Sequence, residues 1–67
     1  MIRLIVNGDS RVVERSGTVE ELIAELQLPK AAVLVEHNGT ALLRSDWSAT
    51  RLAENDRVEI LRVAAGG

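Results

Sequence analysis

Residues 18–26 read TVEELIAEL, and this segment decides the fold of the chain. Its apolar side chains follow the spacing i, i+3, i+4 and i+7, which puts them on one face of a helix. They are Val19, Leu22, Ile23 and Leu26. Thr18 followed by Glu21 matches a capping box, in which the hydroxyl and the carboxylate each bind a free backbone N–H. Pro29 is expected to stop this helix after about two turns.

A β-hairpin is predicted on the amino-terminal side of the helix. Two β-rich runs, Ile2–Asn7 and Ser10–Glu14, are joined through Gly8-Asp9. The Asn-Gly pair tolerates the positive φ that a tight hairpin turn requires. Alternate residues of the first strand are expected to face the core. They are Ile2, Leu4 and Val6.

A second hairpin is predicted on the carboxyl-terminal side, where Asn38-Gly39 separates the runs Val33–His37 and Thr40–Leu43. The residues between this hairpin and the last strand have no clean periodicity. We expect a short helical turn starting at 45–47, with Trp47 covering the edge of the core.

The last strand is predicted at Arg57–Val63, after a turn at Asn55-Asp56. The element order is then β-β-α-β-β-β, and the helix supplies the crossover that two parallel strands need. We therefore predict an α+β fold, a mixed sheet of four to five strands with one main helix packed on one face. This is the layout of a β-grasp domain, with the first and last strands side by side in the centre. The order alone also allows other α+β arrangements.

The composition limits the chemistry that the chain can perform alone. Its 67 residues include no cysteine, which excludes disulfides, thiolate metal ligands and persulfide chemistry on its own side chains. The net charge is −2, the basic residues are scattered and Trp47 is the single aromatic residue, which argues against nucleic-acid binding. No apolar run reaches the roughly 20 residues that span a membrane. We expect one cytoplasmic domain over residues 1–67, with a flexible tail at 64–67.

No group of side chains in the sequence predicts a catalytic or metal site. His37 is the sole histidine, and it is expected at the surface or the edge of a turn rather than as a metal ligand. Glu20, Glu21 and Glu25 are expected on the solvated face of the helix. Neither a P-loop nor a glycine-rich dinucleotide motif is present. The chain is therefore predicted not to be an enzyme.

The sequence ends in Gly66-Gly67, shortly after the last predicted strand. Glycine has no Cβ, so two successive glycines form a thin stalk with almost unrestricted backbone dihedrals. Such a stalk can pass through a narrow slot and present its α-carboxylate to a partner enzyme, where the carboxylate is activated as an acyl-phosphate or acyl-adenylate. A frayed terminus is the alternative interpretation.

A second candidate site lies on the face of the sheet that the helix leaves bare. If Val58 and Ile60 point inward, the alternate residues of the last strand point outward. Together with outward residues of the first and third strands they predict a patch that docks a partner beside the tail. The patch consists of Ile5, Leu34, Leu61 and Val63. Single exposed aliphatic residues are also ordinary on protein surfaces, so that interpretation stays open.

Three internal segments and the carboxyl terminus together resemble one known family. They are 35–39 (VEHNG), 43–47 (LRSDW), 52–60 (LAENDRVEI) and the final Ala65-Gly66-Gly67. The spacing of Arg44 and Trp47, in register with the terminal diglycine, is the most discriminating part. On these motifs the chain resembles the thiamine-biosynthesis sulfur carriers, the ThiS family, a branch of the ubiquitin-like β-grasp proteins. Many members have a proline where this chain has Leu43.

The resemblance implies that Gly67 is the reacting residue and that Gly66 provides clearance. In that family a separate adenylating, E1-like enzyme uses ATP to adenylate the terminal glycine, which is converted to a thiocarboxylate. A sulfur donor such as a cysteine desulfurase supplies the sulfur, and thiazole synthase receives it for the thiamine thiazole. The chain itself is then expected to bind no cofactor and no metal, and to contact neither nucleic acid nor membrane.

Other functions stay open on the same tail. A small subunit of molybdopterin synthase also uses a thiocarboxylate, and carriers for tRNA thiolation or cysteine synthesis differ only in the acceptor. A ubiquitin-like modifier would instead be conjugated to lysines of target proteins. A non-catalytic β-grasp binding module, such as an RNA-associated one, would not need the tail.

Overall fold

The computed structural model describes residues 1–14 and 17–63. Within them five strands form one mixed sheet, and an α-helix covers one of its faces. The strands are β1 (Ile2–Val6), β2 (Asp9–Val13), β3 (Val33–His37), β4 (Thr40–Leu42) and β5 (Arg57–Arg62). Helix α1 spans Val19–Glu25. Two 3-10 turns span Lys30–Ala32 and Arg44–Asp46. The predicted α+β layout is confirmed. The flexible tail expected at 64–67 lies outside the described residues.

The strand order is β2-β1-β5-β3-β4, so β5 is the central strand. It runs parallel to β1 and antiparallel to β3, which confirms that the first and last strands are neighbours. The chain leaves β1 at Asn7, but the side chain of this residue continues the ladder. Its Nδ2 donates to the Ile60 carbonyl at 3.1 Å, and its Oδ1 accepts from the Ile60 N–H at 2.7 Å.

Both hairpins turn through the predicted Asn-Gly pairs. Asn7 and Gly8 have φ values of 50° and 86°, and Asn38 and Gly39 have 49° and 86°. Positive φ at both central residues is the requirement of a type I′ turn, whose twist matches that of the flanking strands. The two turns therefore set the register of both antiparallel pairs from within their own sequence.

The predicted capping box starts α1. Thr18 Oγ1 accepts from the Glu21 N–H at 3.2 Å, and Glu21 Oε1 accepts from the Thr18 N–H at 3.0 Å. The next two amides of the first turn donate to carbonyls of the distant segment 47–50. The first amides of a helix have no hydrogen-bond acceptor within the helix. These two bonds supply acceptors for them and hold the start of α1 against that segment.

The end of α1 differs from the prediction. The helix ends before Pro29, because Gln27 adopts a left-handed conformation with φ 57°. The Leu28 N–H then donates to the Ile23 carbonyl at 3.2 Å, and the Gln27 N–H donates to the Ala24 carbonyl at 3.0 Å. This pair of bonds is a Schellman motif, which terminates a helix without proline.

The core lies between α1 and the sheet. Its buried side chains are Leu4, Val6, Val13, Val19, Leu22, Ile23, Val33, Val35, Trp47 and Val58. The expectation that Trp47 covers the edge of the core is wrong, since its side chain is 2% exposed and is among the largest buried ones. In the part of the chain that the structure describes, no helix is long and apolar enough to cross a membrane.

Replacing Thr18 with alanine removes the hydroxyl that caps α1. We expect the T18A variant to lose about 1 kcal/mol of unfolding free energy, measured by urea denaturation. The T18S variant keeps a hydroxyl at the same position, and serine and threonine are both favoured N-cap residues. Its unfolding free energy should therefore stay within roughly a few tenths of a kcal/mol of the wild-type value. Equal losses in both variants would contradict the capping role.

Candidate functional site

The end of β5 is fixed to the body of the domain. The Val63 N–H donates to the Ala32 carbonyl at 2.7 Å, which holds the residue after the strand against the 3-10 turn at Lys30–Ala32. The residues that follow, including Gly66 and Gly67, lie outside the described residues. Their assignment as stalk and reacting terminus therefore stays a prediction.

The face of the sheet opposite α1, the open face, carries an apolar group at this end. Leu34 of β3 lies directly opposite Leu61 of β5, and their side chains are 54% and 64% exposed. Val63 follows at 44% exposure. We call Leu34, Leu61 and Val63 the leucine patch.

Leu43 extends the leucine patch across a third strand. It follows β4 directly, and its neighbour Leu42 packs against the core, so Leu43 points to the open face by alternation. The last register pair of β4 with β3 is Leu42 with Val35, which puts Leu43 next to Leu34. Its side chain is 69% exposed. The alternation of side chains at the end of the second hairpin is the sequence signal that places Leu43 on the open face.

The fourth residue of the predicted patch, Ile5, lies apart from the other three. It is half-buried and pairs with Arg57, four positions before Leu61 on β5. The row formed by Glu36 and Glu59 crosses the open face between the two places. The structure thus brings together three of the four predicted residues and separates Ile5 from them by charged side chains.

His37 belongs to a hydrogen-bond cluster that ties the second hairpin to the loop before β5. Its Nε2 lies 2.8 Å from Asp56 Oδ2, and both side chains are mostly buried. Asn38 Nδ2 donates to Asp56 Oδ1 at 3.2 Å, while Asn38 Oδ1 accepts from the Arg57 N–H at 2.8 Å. The Ala53 N–H also donates to Asp56 at 2.9 Å. These contacts give His37 a structural role at the edge of the turn.

The carboxyl group of Asp56 responds to this cluster. Burial raises its pKa, but the hydrogen bonds from His37, the Ala53 N–H and Asn38, together with the electrostatic interaction with His37, outweigh burial and hold the pKa below the usual 3.8. The cluster therefore favours the ionised carboxylate of Asp56 in the folded state.

The two motif residues Arg44 and Trp47 have structural roles in the domain. Arg44 Nε donates to the Lys30 carbonyl at 3.0 Å, and its Nη2 donates to the Val33 carbonyl at 3.2 Å. The guanidinium carbon lies 5.5 Å from the centre of the Trp47 ring, within the range of a cation–π contact. Arg44 thus joins the loop after β4 to the start of β3, beside the leucine patch.

The described residues contain no candidate metal site. No group of three or more histidine, aspartate or glutamate side chains at 1–14 and 17–63 is arranged to hold a metal ion. The Trp47 Nε1–H is buried without a hydrogen-bond partner, but an indole N–H has no acid–base role at neutral pH. The described structure does carry an exposed apolar surface, the leucine patch.

Comparisons with known proteins agree with this architecture. A model of the ThiS family matches residues 3–67. The chain is 31% identical over 65 residues to the sulfur carrier protein ThiS of Bacillus subtilis, covering 96% of this chain and 98% of that protein. The crystal structure of the thiamine biosynthesis protein ThiS from Geobacter metallireducens matches with a TM-score of 0.80 at 36% identity, covering 98% of this chain and 100% of that one.

A different kind of relative is a thiazole synthase of Paramagnetospirillum magneticum, which is 32% identical over 66 residues. The match covers 98% of this chain and 20% of that protein. A thiazole synthase of Magnetococcus marinus is 29% identical over 66 residues with the same coverage. The chain thus spans about a fifth of the length of these two relatives.

The chain has a ubiquitin-like β-grasp fold. In its mixed sheet β1 and β5 pair in parallel near the centre, and one crossover helix covers one face. The match over residues 3–67 and the full-length Bacillus relative narrow the class further. The chain belongs to the ThiS family.

Replacing Asp56 with asparagine should change how stability depends on pH. A folded-state pKa below the unfolded value stabilises the protein above about pH 4, and this contribution is lost as the pH falls through the folded pKa. We expect the D56N variant to unfold more easily at pH 7, by about 1–2 kcal/mol, and to lose less stability than the wild type on acidification. Urea denaturation between pH 7 and pH 3 measures both effects.

The D9N variant is the matched control, because Asp9 is exposed on β2 and has no side-chain partner among the described residues. It should follow the acid dependence of the wild type. If D56N and D9N have the same pH profile, the Asp56 cluster does not contribute to acid sensitivity.

Proposed function

We propose that this chain is a sulfur carrier of thiamine biosynthesis that delivers sulfur to thiazole synthase and is itself no enzyme. The observation that carries the proposal is the ThiS family match over residues 3–67, which includes Gly66 and Gly67. The Bacillus relative named a sulfur carrier protein supports the carrier role along nearly its whole length. Two proteins named thiazole synthase contain a region similar to this chain, which supports that enzyme as the partner.

The proposed chemistry takes place on the carboxylate of Gly67. An E1-like enzyme binds ATP, and the carboxylate attacks the α-phosphate, forming an acyl-adenylate and releasing pyrophosphate. A persulfide from a donor such as a cysteine desulfurase then displaces AMP and forms an acyl disulfide. A thiol reductant cleaves its S–S bond, which leaves the thiocarboxylate on the chain and oxidises the thiols to a disulfide. Because one oxygen is exchanged for sulfur on the terminal carbon, the chain needs no thiol, and it has no cysteine. Since the reaction consumes ATP, we propose the cytoplasm as its location.

The described geometry suits such a carrier. β5 is held on both sides by neighbouring strands, and the bond from Val63 to Ala32 fixes its end. Val63 is both the last described residue and a member of the leucine patch, so a partner that covers the patch also reaches the start of residues 64–67. Gly66 would then give the terminus the clearance to enter the partner's pocket, since it has no Cβ.

Intact-mass spectrometry tests the chemical step directly. After incubation with a ThiS-activating enzyme, ATP and a sulfur donor, we expect the wild-type chain to gain about 16 Da, the difference between sulfur and oxygen. Deleting Gly67 should abolish the gain while circular dichroism and the melting midpoint remain those of the wild type. No gain in the wild type, with an active control carrier in the same mixture, would refute the proposal.

Disrupting the leucine patch tests where the partner docks. The L61S variant removes an exposed leucine and should raise the KM of thiocarboxylate formation about fivefold, because the apolar area that Leu61 would bury against the partner is lost. The V12S variant is the control, since Val12 is 51% exposed on the edge strand β2. Equal KM values for the two variants would show that the activating enzyme docks elsewhere.

A further inference from the structure

The open face holds two carboxylates in an unfavourable arrangement. Glu36 of β3 lies directly opposite Glu59 of β5, and like charges at opposed positions of an antiparallel pair repel each other. Neither takes part in an ion pair within 1–14 and 17–63, where the pairs are Lys30 with Glu20 and His37 with Asp56. Arg57, on the same face of β5, forms no ion pair with them. Among the described residues no cation lies within ion-pair distance of either carboxylate.

The same two carboxylates border an apolar groove of about 330 Å³ on the open face. Its other lining residues are Leu34, Val35, Ala41, Leu42 and Leu61. One end of the groove is therefore the exposed leucine pair, and the next row along the strands is the carboxylate pair. The groove combines an apolar floor with two negative charges at one position.

We propose that this groove receives an arginine or lysine side chain from the protein that docks on the leucine patch. The aliphatic stem of such a side chain packs on Leu34 and Leu61, and its charged head lies between Glu36 and Glu59. An arginine fits best, because its planar guanidinium can donate to two carboxylates at once. The inference rests on the proposed function only in naming the docking partner as the carrier's partner enzyme.

Charge complementarity favours a cationic partner over the other occupants. A second copy of the chain stacked face to face would bring its own carboxylates close to this pair. A purely apolar partner would bury both carboxylates without a counter-charge, which costs free energy. A partner with a cation at this place relieves the repulsion on binding. The carboxylate pair thus selects partners by charge, and the leucine patch supplies the contact area.

A peptide titration tests the groove without the activating enzyme. The probe is acetyl-Gly-Leu-Arg-Leu-Gly-amide, added to the ¹⁵N-labelled chain and followed by NMR. We expect a Kd on the order of 1 mM, with amide shifts at Leu34, Glu36, Glu59 and Leu61. The same peptide with citrulline in place of arginine keeps the shape and removes the charge. It should bind about threefold to fivefold more weakly, the range of an exposed charge pair.

Variants of the carrier give a second, independent readout. Either E36Q or E59Q should weaken binding of the arginine peptide about threefold while raising the melting midpoint by about 1–4 °C, because the repulsion is relieved. The E14Q control removes an equal charge at the far edge of the sheet and should change neither quantity. A merely structural role for these carboxylates would not combine tighter folding with weaker binding.

Three outcomes overturn the inference. They are equal affinity of the arginine and citrulline peptides, shifts confined to residues outside the groove, and concentration-dependent shifts of the patch without peptide, which would indicate self-association. The titration does not involve the tail or ATP. Suppose that the wild-type chain binds the peptide but does not gain the mass of about 16 Da that marks the exchange of oxygen for sulfur. That result would refute the proposed function and leave the groove assignment standing.

Discussion

The structure depends on the parallel pairing of β1 with β5. Each hairpin on either side is local and is set by its own Asn-Gly turn, whereas this pairing joins the two ends of the described chain. The direct register covers Ile5 with Arg57 and Val6 with Val58, so it is short. The Asn7 side chain lengthens it by binding both backbone groups of Ile60. Without this seam the two hairpins would have no common sheet.

The single pair of parallel strands also determines which face of the sheet stays accessible. Parallel strands require a crossover, and one helix can cover only one face of the sheet. The apolar residues that stabilise the fold therefore collect beneath α1, and the other face stays accessible. Leu34, Glu36, Glu59 and Leu61 lie on that accessible face in two successive rows. The core thus lies on one side of these strands, and the proposed recognition surface lies on the other.

The sequence predicted the hairpins, the helix start and the order of elements along the chain, because each has a local signal such as Asn-Gly or the spacing of Thr18 and Glu21. It did not predict the burial of Trp47, since the surrounding segment has no periodicity and is positioned by hydrogen bonds to the start of α1. Alternation identified outward side chains, but distance along a strand depends on register. Alternation alone therefore groups Ile5 with a patch from which Glu59 separates it.

Deamidation at the Asn7-Gly8 turn would affect the pairing of β1 with β5. An asparagine followed by glycine is the dipeptide most prone to deamidation, because the small neighbour lets the next backbone nitrogen attack the side-chain amide. The product carboxylate at position 7 has no N–H to donate to the Ile60 carbonyl, which now accepts from Asn7 Nδ2. Ageing at one exposed turn would therefore loosen the one junction between the halves of the sheet.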